Sequence, residues 1–321
     1  MEIFFTTLSQ MGYLFLLIFL GFVLAKLKAV PDNTATVLAK LENNLFVPAL
    51  MAGTFINNFT LDKLSSYLPS LAVSIAMAAV MVPLALVISR FCSKDAYIRN
   101  FYVYGFAFAN FGFMGNAVVM AVFADVFPEY IVFCLPMWAI IYMWGVPSLL
   151  IPSEGEGEKR GFATRLKAFV NPMFVSIFVG MALGIIFGKY SIKLPGFVDN
   201  VITVCGNCMS PVAMLLTGIT VAKMNFKKTF SDFGIYFATF LRLIVFPALL
   251  IFVLSFMKFI PDNAVTCAVC CICMPLGLNT VVVPSAYGKD TSVSTGMALV
   301  SHTLSCITIP LVFLLMETVL R

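Results

Sequence analysis

The chain has 321 residues, 61% of them hydrophobic and 11% charged, with a mean hydropathy of +1.01. So much apolar surface excludes a water-soluble domain and makes the lipid bilayer the first expected partner. The net charge of +5 does not argue for a nucleic-acid partner, because most Lys and Arg fall in short loops where membrane topology accounts for them.

A helix rising about 1.5 Å per residue needs roughly 20 apolar residues to cross the hydrocarbon core. Ten such spans can be placed, over 5–26, 34–58, 66–91, 99–123, 129–151, 168–188, 196–222, 231–257, 263–287 and 292–317. The expected fold is an all-α polytopic membrane protein of ten transmembrane helices. Lys26 is the earliest cation, so the first span is expected to stay in the mature protein rather than act as a cleaved signal.

In chain order the spans pair at one offset. Gly21 near the end of the first span answers Gly184 in the sixth, and Pro31 answers Pro195. Asn44-x-x-x-Pro48 in the second answers Asn207-x-x-x-Pro211 in the seventh. Pro83 answers Pro247, Asn116 answers Asn279, and Pro147 answers Pro310, every pair 163 or 164 residues apart. A shared offset through all five pairs reads as a tandem duplication, with a first repeat over 1–151, a linker over 152–164 and a second repeat over 165–321. Five spans per repeat force the second copy to enter from the opposite side, so the repeats are expected to be inverted. Alternate loops carry thirteen Lys and Arg on one side, from Lys26 and Lys28 to Lys289, against five on the other. The excess places the linker in the cytoplasm and both termini outside a cell membrane. Phe162, Leu166 and Phe169, spaced helically beside Arg165 and Lys167, predict an interfacial helix after the linker.

The fourth and ninth spans are each interrupted near their middle. Asn110-Phe111-Gly112-Phe113-Met114-Gly115-Asn116 breaks one, and Met274-Pro275-Leu276-Gly277-Leu278-Asn279-Thr280 the other. A break there exposes backbone groups at several kcal/mol each unless something satisfies them. Pro275 removes a donor, Gly277 supplies freedom of φ, and Gly112 and Gly115 serve the first break. Half-helices starting at mid-membrane would point amino ends, each worth about half a positive charge, at the site, so an anion is the expected guest. The candidate substrate-binding residues are Asn110, Gly112, Gly115, Asn116, Pro275, Gly277, Asn279 and Thr280. Taken singly each run reads equally as a kink; their matched positions favour a site.

Three further residues are candidate charge partners or coupling groups. Arg242, mid-span, costs roughly 2.5–3.5 kcal/mol to insert, and needs an anionic substrate, a carboxylate such as Glu42, or helix carbonyls. His302, the lone histidine, reads either as a proton relay or as a neutral side chain bonded between helices. Glu42 precedes Asn43 and Asn44 and stays ambiguous, while Lys40 snorkels. Cys267, Cys270, Cys271 and Cys273 lie in an apolar span without carboxylates, so core packing is expected there and no metal. No nucleophile with a base appears, so no enzyme is expected.

The stretches Asn44 to Pro48, Phe111 to Asn116, Asn171-Pro172, Pro211 with Leu215-Leu216-Thr217-Gly218, and Pro275 to Asn279 with Tyr287-Gly288-Lys289-Asp290 together resemble the auxin efflux carrier family over essentially the whole chain. The resemblance implies two inverted five-helix repeats, similar in fold to bile-acid sodium symporters. It implies that the fourth and ninth spans cross at Gly115, Asn116, Pro275, Gly277 and Asn279. The first, second, sixth and seventh spans would form a scaffold, and the rest a mobile transport domain. Plant members of that family export the carboxylate auxin, and bacterial relatives resemble carriers of malate or malonate. The missing proline at the first crossover departs from the plant pattern, and the short linker in place of a long cytoplasmic loop looks like a prokaryotic member. The expected function is secondary transport of a small organic anion, without a cofactor; coupling to H+ or Na+, and a monomer or a homodimer, stay open. The alternative is a membrane sensor that binds a ligand without moving it. A sensor is expected to carry a signalling domain, and the sequence reaches Arg321 directly after the last span, which favours transport.

Overall fold

In a medium without water every backbone group must bond within its own segment, and the chain accordingly folds into helix after helix. The computed structural model describes residues 2–151, 170–223, 233–286 and 289–320. Helix α1 (Glu2–Lys26) leads to α2 (Thr34–Leu41), which continues through a π turn over Glu42–Phe46 into α3 (Val47–Asn58). Next come α4 (Leu61–Cys92) and α5 (Ala96–Ala107), the latter started by Asp95, whose carboxylate accepts from the amides of Tyr97 at 2.8 Å and Ile98 at 3.0 Å. A π turn over Phe111–Gly115 opens α6 (Asn116–Val122), and α7 (Phe127–Ile140) runs on through π-helical Ile141–Leu150. Helix α8 (Pro172–Tyr190) begins with Asn171 as its cap, accepting from the Phe174 amide at 3.1 Å, and with Pro172 at its first position. The rest are α9 (Gly196–Ala222), α10 (Phe233–Phe240), a π turn over Leu241–Val245, α11 (Phe246–Ser255), α12 (Asp262–Ile272), α13 (Asn279–Ala286) and α14 (Ser292–Leu320).

Among the described residues seven helices are long and apolar enough to cross a membrane: α1, α4, α7 with its π extension, α8, α9, the run α10–α11, and α14. The chain is therefore an all-helical, multi-pass membrane protein. The other three expected spans differ for physical reasons. The stretch 34–58 is helical throughout but carries Lys40, Glu42, Asn43 and Asn44, and the stretches 99–123 and 263–287 are broken, leaving the short apolar pieces Phe111–Val122 and Asp262–Ile272. The expected linker over 152–164 and the interfacial helix at Phe162, Leu166 and Phe169 lie outside the described residues.

Two tight helix pairs anchor the assembly. A Cβ on Gly21 of α1 would meet the Leu215 carbonyl of α9, and one on Gly218 of α9 would meet the Ile18 carbonyl of α1. In the other pair, a Cβ on Gly184 of α8 would meet the carbonyls of Phe55 and Phe59 in and after α3, and one on Gly180 would lie 3.0 Å from the Phe55 Cβ. Glycine lets these backbones approach within a distance that no side chain permits. Phe91, Phe178 and Phe252 stay exposed on outer faces, as suits contact with lipid. Tyr102, Tyr104, Phe106, Phe111 and Tyr130 are fully buried around the interrupted helices. Glu129 at the start of α7 ties three helices together, accepting from the Ser70 hydroxyl of α4 and, at 3.0 Å, from Asn263 of α12.

Candidate functional site

Helices α5 and α12 stop facing each other, and the chain beyond each runs briefly extended. The Asn110 amide donates to the Pro275 carbonyl at 2.7 Å, and Ala109 and Leu276 form an antiparallel bridge. This is the one extended pairing among the described residues. Leu276 donates its amide to the Ser301 hydroxyl of α14 at 3.2 Å. The exposed backbone that a mid-span break creates is thus satisfied by the other break and by a neighbouring helix, as a lipid environment demands.

On one side of this junction lies a cavity of about 290 Å³, at the small end of the roughly 300–1,000 Å³ range of small-molecule sites. Asn110, Gly112 and Asn116 line it from one break, and Gly277 and Asn279 from the other. The first turns of both restarted helices therefore border it; the Thr280 and Val281 amides donate to the Gly277 and Leu278 carbonyls, and the Met114 and Gly115 amides to the Asn110 carbonyl. Among the described residues no charged side chain lines the cavity. Its polar lining residues are Asn43, Asn110, Asn116, Asn171 and Asn279 with Tyr104, Tyr142 and Trp138. Asn279 donates to the Tyr104 hydroxyl at 2.9 Å, and the buried side-chain oxygen Oδ1 of Asn116 has no hydrogen-bond partner among the described residues.

The remaining candidates stand outside the lining, each for a visible reason. Pro275 has turned its carbonyl to Asn110. Thr280 donates its hydroxyl to the Gly277 carbonyl at 2.9 Å, closing its own turn. Gly115 makes room: a Cβ there would fall on the Tyr130 hydroxyl, which donates to the Phe111 carbonyl at 3.1 Å, and would lie 3.4 Å from Met274 Cγ. Gly277 does not adopt a left-handed φ, and its Cβ would come no closer than 3.4 Å to a neighbour. The expectation that this position needs glycine for its φ is therefore corrected; it admits alanine.

Arg242 is buried in the π turn after α10. It donates from Nη1 to the Phe106 carbonyl at 3.1 Å and from Nε to the Met274 carbonyl at 3.3 Å. Those carbonyls belong to the last turn of α5 and to the chain just after α12, where helix dipoles end in partial negative charge. Of the partners weighed for Arg242, the carbonyls are the ones it has; it caps both interrupted helices from behind the cavity. His302 of α14 sits one residue deep behind the lining. Its Nδ1 lies 2.7 Å from the Ala298 carbonyl, which only a protonated nitrogen can engage, so in the neutral ring Nε2 accepts from Asn110 Nδ2 at 3.0 Å. Glu42 lies in a smaller chamber beside the cavity. Among the described residues no group of His, Cys, Asp and Glu is placed to hold a metal ion, and Cys267, Cys270, Cys271 and Cys273 are buried in the core.

Tyr104, Trp138, Tyr142, Asn43 and Asn171 line the cavity but were not singled out as site residues from sequence. The aromatics lie in apolar spans, where such side chains read as packing. Asn43 and Asn171 stood in view, beside a repeated Asn-x-x-x-Pro and at a helix cap.

Over residues 6–313 the chain matches the model of a protein family described as membrane transport protein. No curated protein matches it.

Proposed function

Because this chain belongs to the membrane transport protein family, the auxin efflux carrier family whose motifs it shares, we propose that it is a secondary active transporter of a small organic anion. A carboxylate or dicarboxylate moves by alternating access around the junction of the interrupted helices. The observation that carries this reading is the cavity itself, bordered by two helix amino ends and neutral donors. It offers a carboxylate partial positive charge and hydrogen bonds without a fixed cation.

The same reading takes the chain as two inverted five-helix repeats, 1–151 and 165–321, joined by the linker at 152–164. The three stretches that fall short of a free-standing span complete a set of ten. Its support is reciprocity: Gly21 and Gly184 stand 163 residues apart, and each is the contact point of its helix on the second helix of the other half. The charge count puts the linker in the cytoplasm and both termini outside the cell membrane. Among the described residues nothing in the cavity pairs a nucleophile with a base, and transport is proposed here rather than catalysis.

The test is uptake of labelled dicarboxylates and aromatic carboxylates into proteoliposomes. Saturable uptake that is lost in the Asn110→Ala, Asn279→Ala double variant is the expected result. Absence of uptake and of exchange for every carboxylate, with ligand binding retained, would move the protein to the sensor class.

A further inference from the structure

Glu42 stands in the π turn between α2 and α3. It is fully buried, and among the described residues neither carboxyl oxygen has a hydrogen-bond partner. It lines a chamber of about 50 Å³, room for about one water. None of the polar groups around it is recorded as donating to it. Thr217 and Thr220 spend their hydroxyl protons on the Ala213 and Leu216 carbonyls of their own helix, both at 2.8 Å, and Asn279 spends an amide proton on Tyr104. Among the described residues no Lys, Arg or His lines the chamber.

The elements packed on this turn supply no compensating charge either. Helix α3 carries no titratable side chain, and neither do α13 and the Phe111–Gly115 turn, which complete the chamber wall. Lys40 of α2 is exposed. Lys189 and Tyr190 close the far end of α8, and of the Asp199, Cys205, Cys208 and Lys223 of α9 none lines the chamber; Lys223 donates to the Asp32 carbonyl. A buried carboxylate with neither a hydrogen bond nor a facing cation has its charge unanswered, and a bound cation relieves it.

We propose that the Glu42 chamber is the cation site that couples this transporter, and that the cation is a proton carried on the Glu42 carboxyl. The proposal rests on the transport reading above. The step is a simple protonation: a carboxylate oxygen of Glu42 gains a proton from water, and no other bond changes. The coupling lies in a shared wall. Asn43, Phe113, Leu278 and Asn279 line both the chamber and the central cavity, so an ionised Glu42 repels an anion across one layer of side chains and a protonated one does not. Anion and proton therefore favour each other's binding reciprocally, and the two move together.

Wild type and Glu42→Gln, the neutral isostere, are compared in proteoliposomes with the carboxylate found by the uptake screen. Exchange at equal pH requires no net proton movement, whereas accumulation on an imposed pH gradient does. Glu42→Gln is expected to show measurable exchange and to lose pH-driven accumulation. Accumulation like wild type overturns the proposal. So does wild-type accumulation that follows a sodium gradient at symmetrical pH, which assigns the chamber to a metal cation. A second measurement needs no substrate and no transport. Acid–base titration of the solubilised proteins, each eluting as a single folded species, is expected to show wild type binding about one proton per chain more than Glu42→Gln between about pH 5 and 9. Equal proton binding overturns the proposal whatever the liposomes show. If wild type moves no carboxylate, the transport reading fails while the titration still reads the site, so the two failures are distinguishable.

Discussion

Replacing Arg242 by Met keeps the volume and removes the cation that joins the two interrupted helices. Two carbonyls, of Phe106 and Met274, lose their donor at a buried position, about 4 kcal/mol together at mid-range, and two helix carboxyl ends lose a facing charge, about 2 kcal/mol together. Against this stands the relief of no longer holding a guanidinium at mid-membrane, about 3 kcal/mol. The balance is a destabilisation of about 3 kcal/mol. Arg242→Lys keeps the charge near the dipoles but loses the planar fork that reaches two carbonyls on separate segments, so roughly half the loss is expected. The buried Cys134, Cys267, Cys270 and Cys271 provide the assay, because a thiol-reactive fluorophore reports their exposure as the solubilised protein is heated. Wild-type melting in Arg242→Met would refute the capping argument, and wild-type melting in Arg242→Lys would refute the need for a fork. Unchanged melting with loss of substrate binding would return Arg242 to the anion site.

Gly115→Ala should cost about 1–3 kcal/mol through overpacking on Tyr130, read as a lower melting temperature. Because the Cβ meets the Tyr130 hydroxyl oxygen, Tyr130→Phe in the same chain should cost less than the sum of the two single changes. Gly277→Ala should leave stability within about 1 kcal/mol of wild type, since neither φ nor space forbids it, while carboxylate affinity falls as a methyl group enters the cavity wall; a large loss of stability would contradict the backbone assignment. A cysteine at Gly157 should be shielded from an impermeant thiol reagent in intact cells, above the background of the native cysteines, and labelling from outside would reverse the proposed topology.

The spans were legible because the solvent leaves little choice. The expected span 196–222 coincides with α9, and 66–91 differs from α4 by a few residues at its start, since an apolar run of that length has no other way to satisfy its backbone. The interruptions were legible for the same reason, through Pro275 and paired glycines in otherwise apolar stretches. Which atoms answer them was not. The charge of Arg242 announces that a partner is needed, but whether that partner is Glu42, a substrate or a carbonyl depends on how α10 packs against both breaks. The π turn that turns Glu42 inward carries no periodic signature, and Tyr104 and Trp138 are indistinguishable in sequence from core aromatics.

A transporter must hold its substrate firmly enough to select it and loosely enough to let it go. With a guanidinium in the cavity wall, an anion would gain a charge-assisted, bidentate contact in both access states alike, and uniform tight binding slows release without helping the crossing. In this chain the ionisable groups near the cavity stand one layer back. Arg242 faces the carboxyl ends of the interrupted helices, His302 faces Asn110, and Glu42 sits behind the wall shared by Asn43, Phe113, Leu278 and Asn279. On the proposed reading, Arg242 and His302 act on the site through neutral groups whose position or hydrogen-bonding sense they set, and Glu42 acts by its charge across the shared wall. Asn110 is the clearest case: with His302 neutral it gives an amide proton backwards, and with His302 protonated it must turn its oxygen there and present both amide protons elsewhere. The anion then meets only amides, hydroxyls and helix ends, and the charges behind them bias its binding without gripping it.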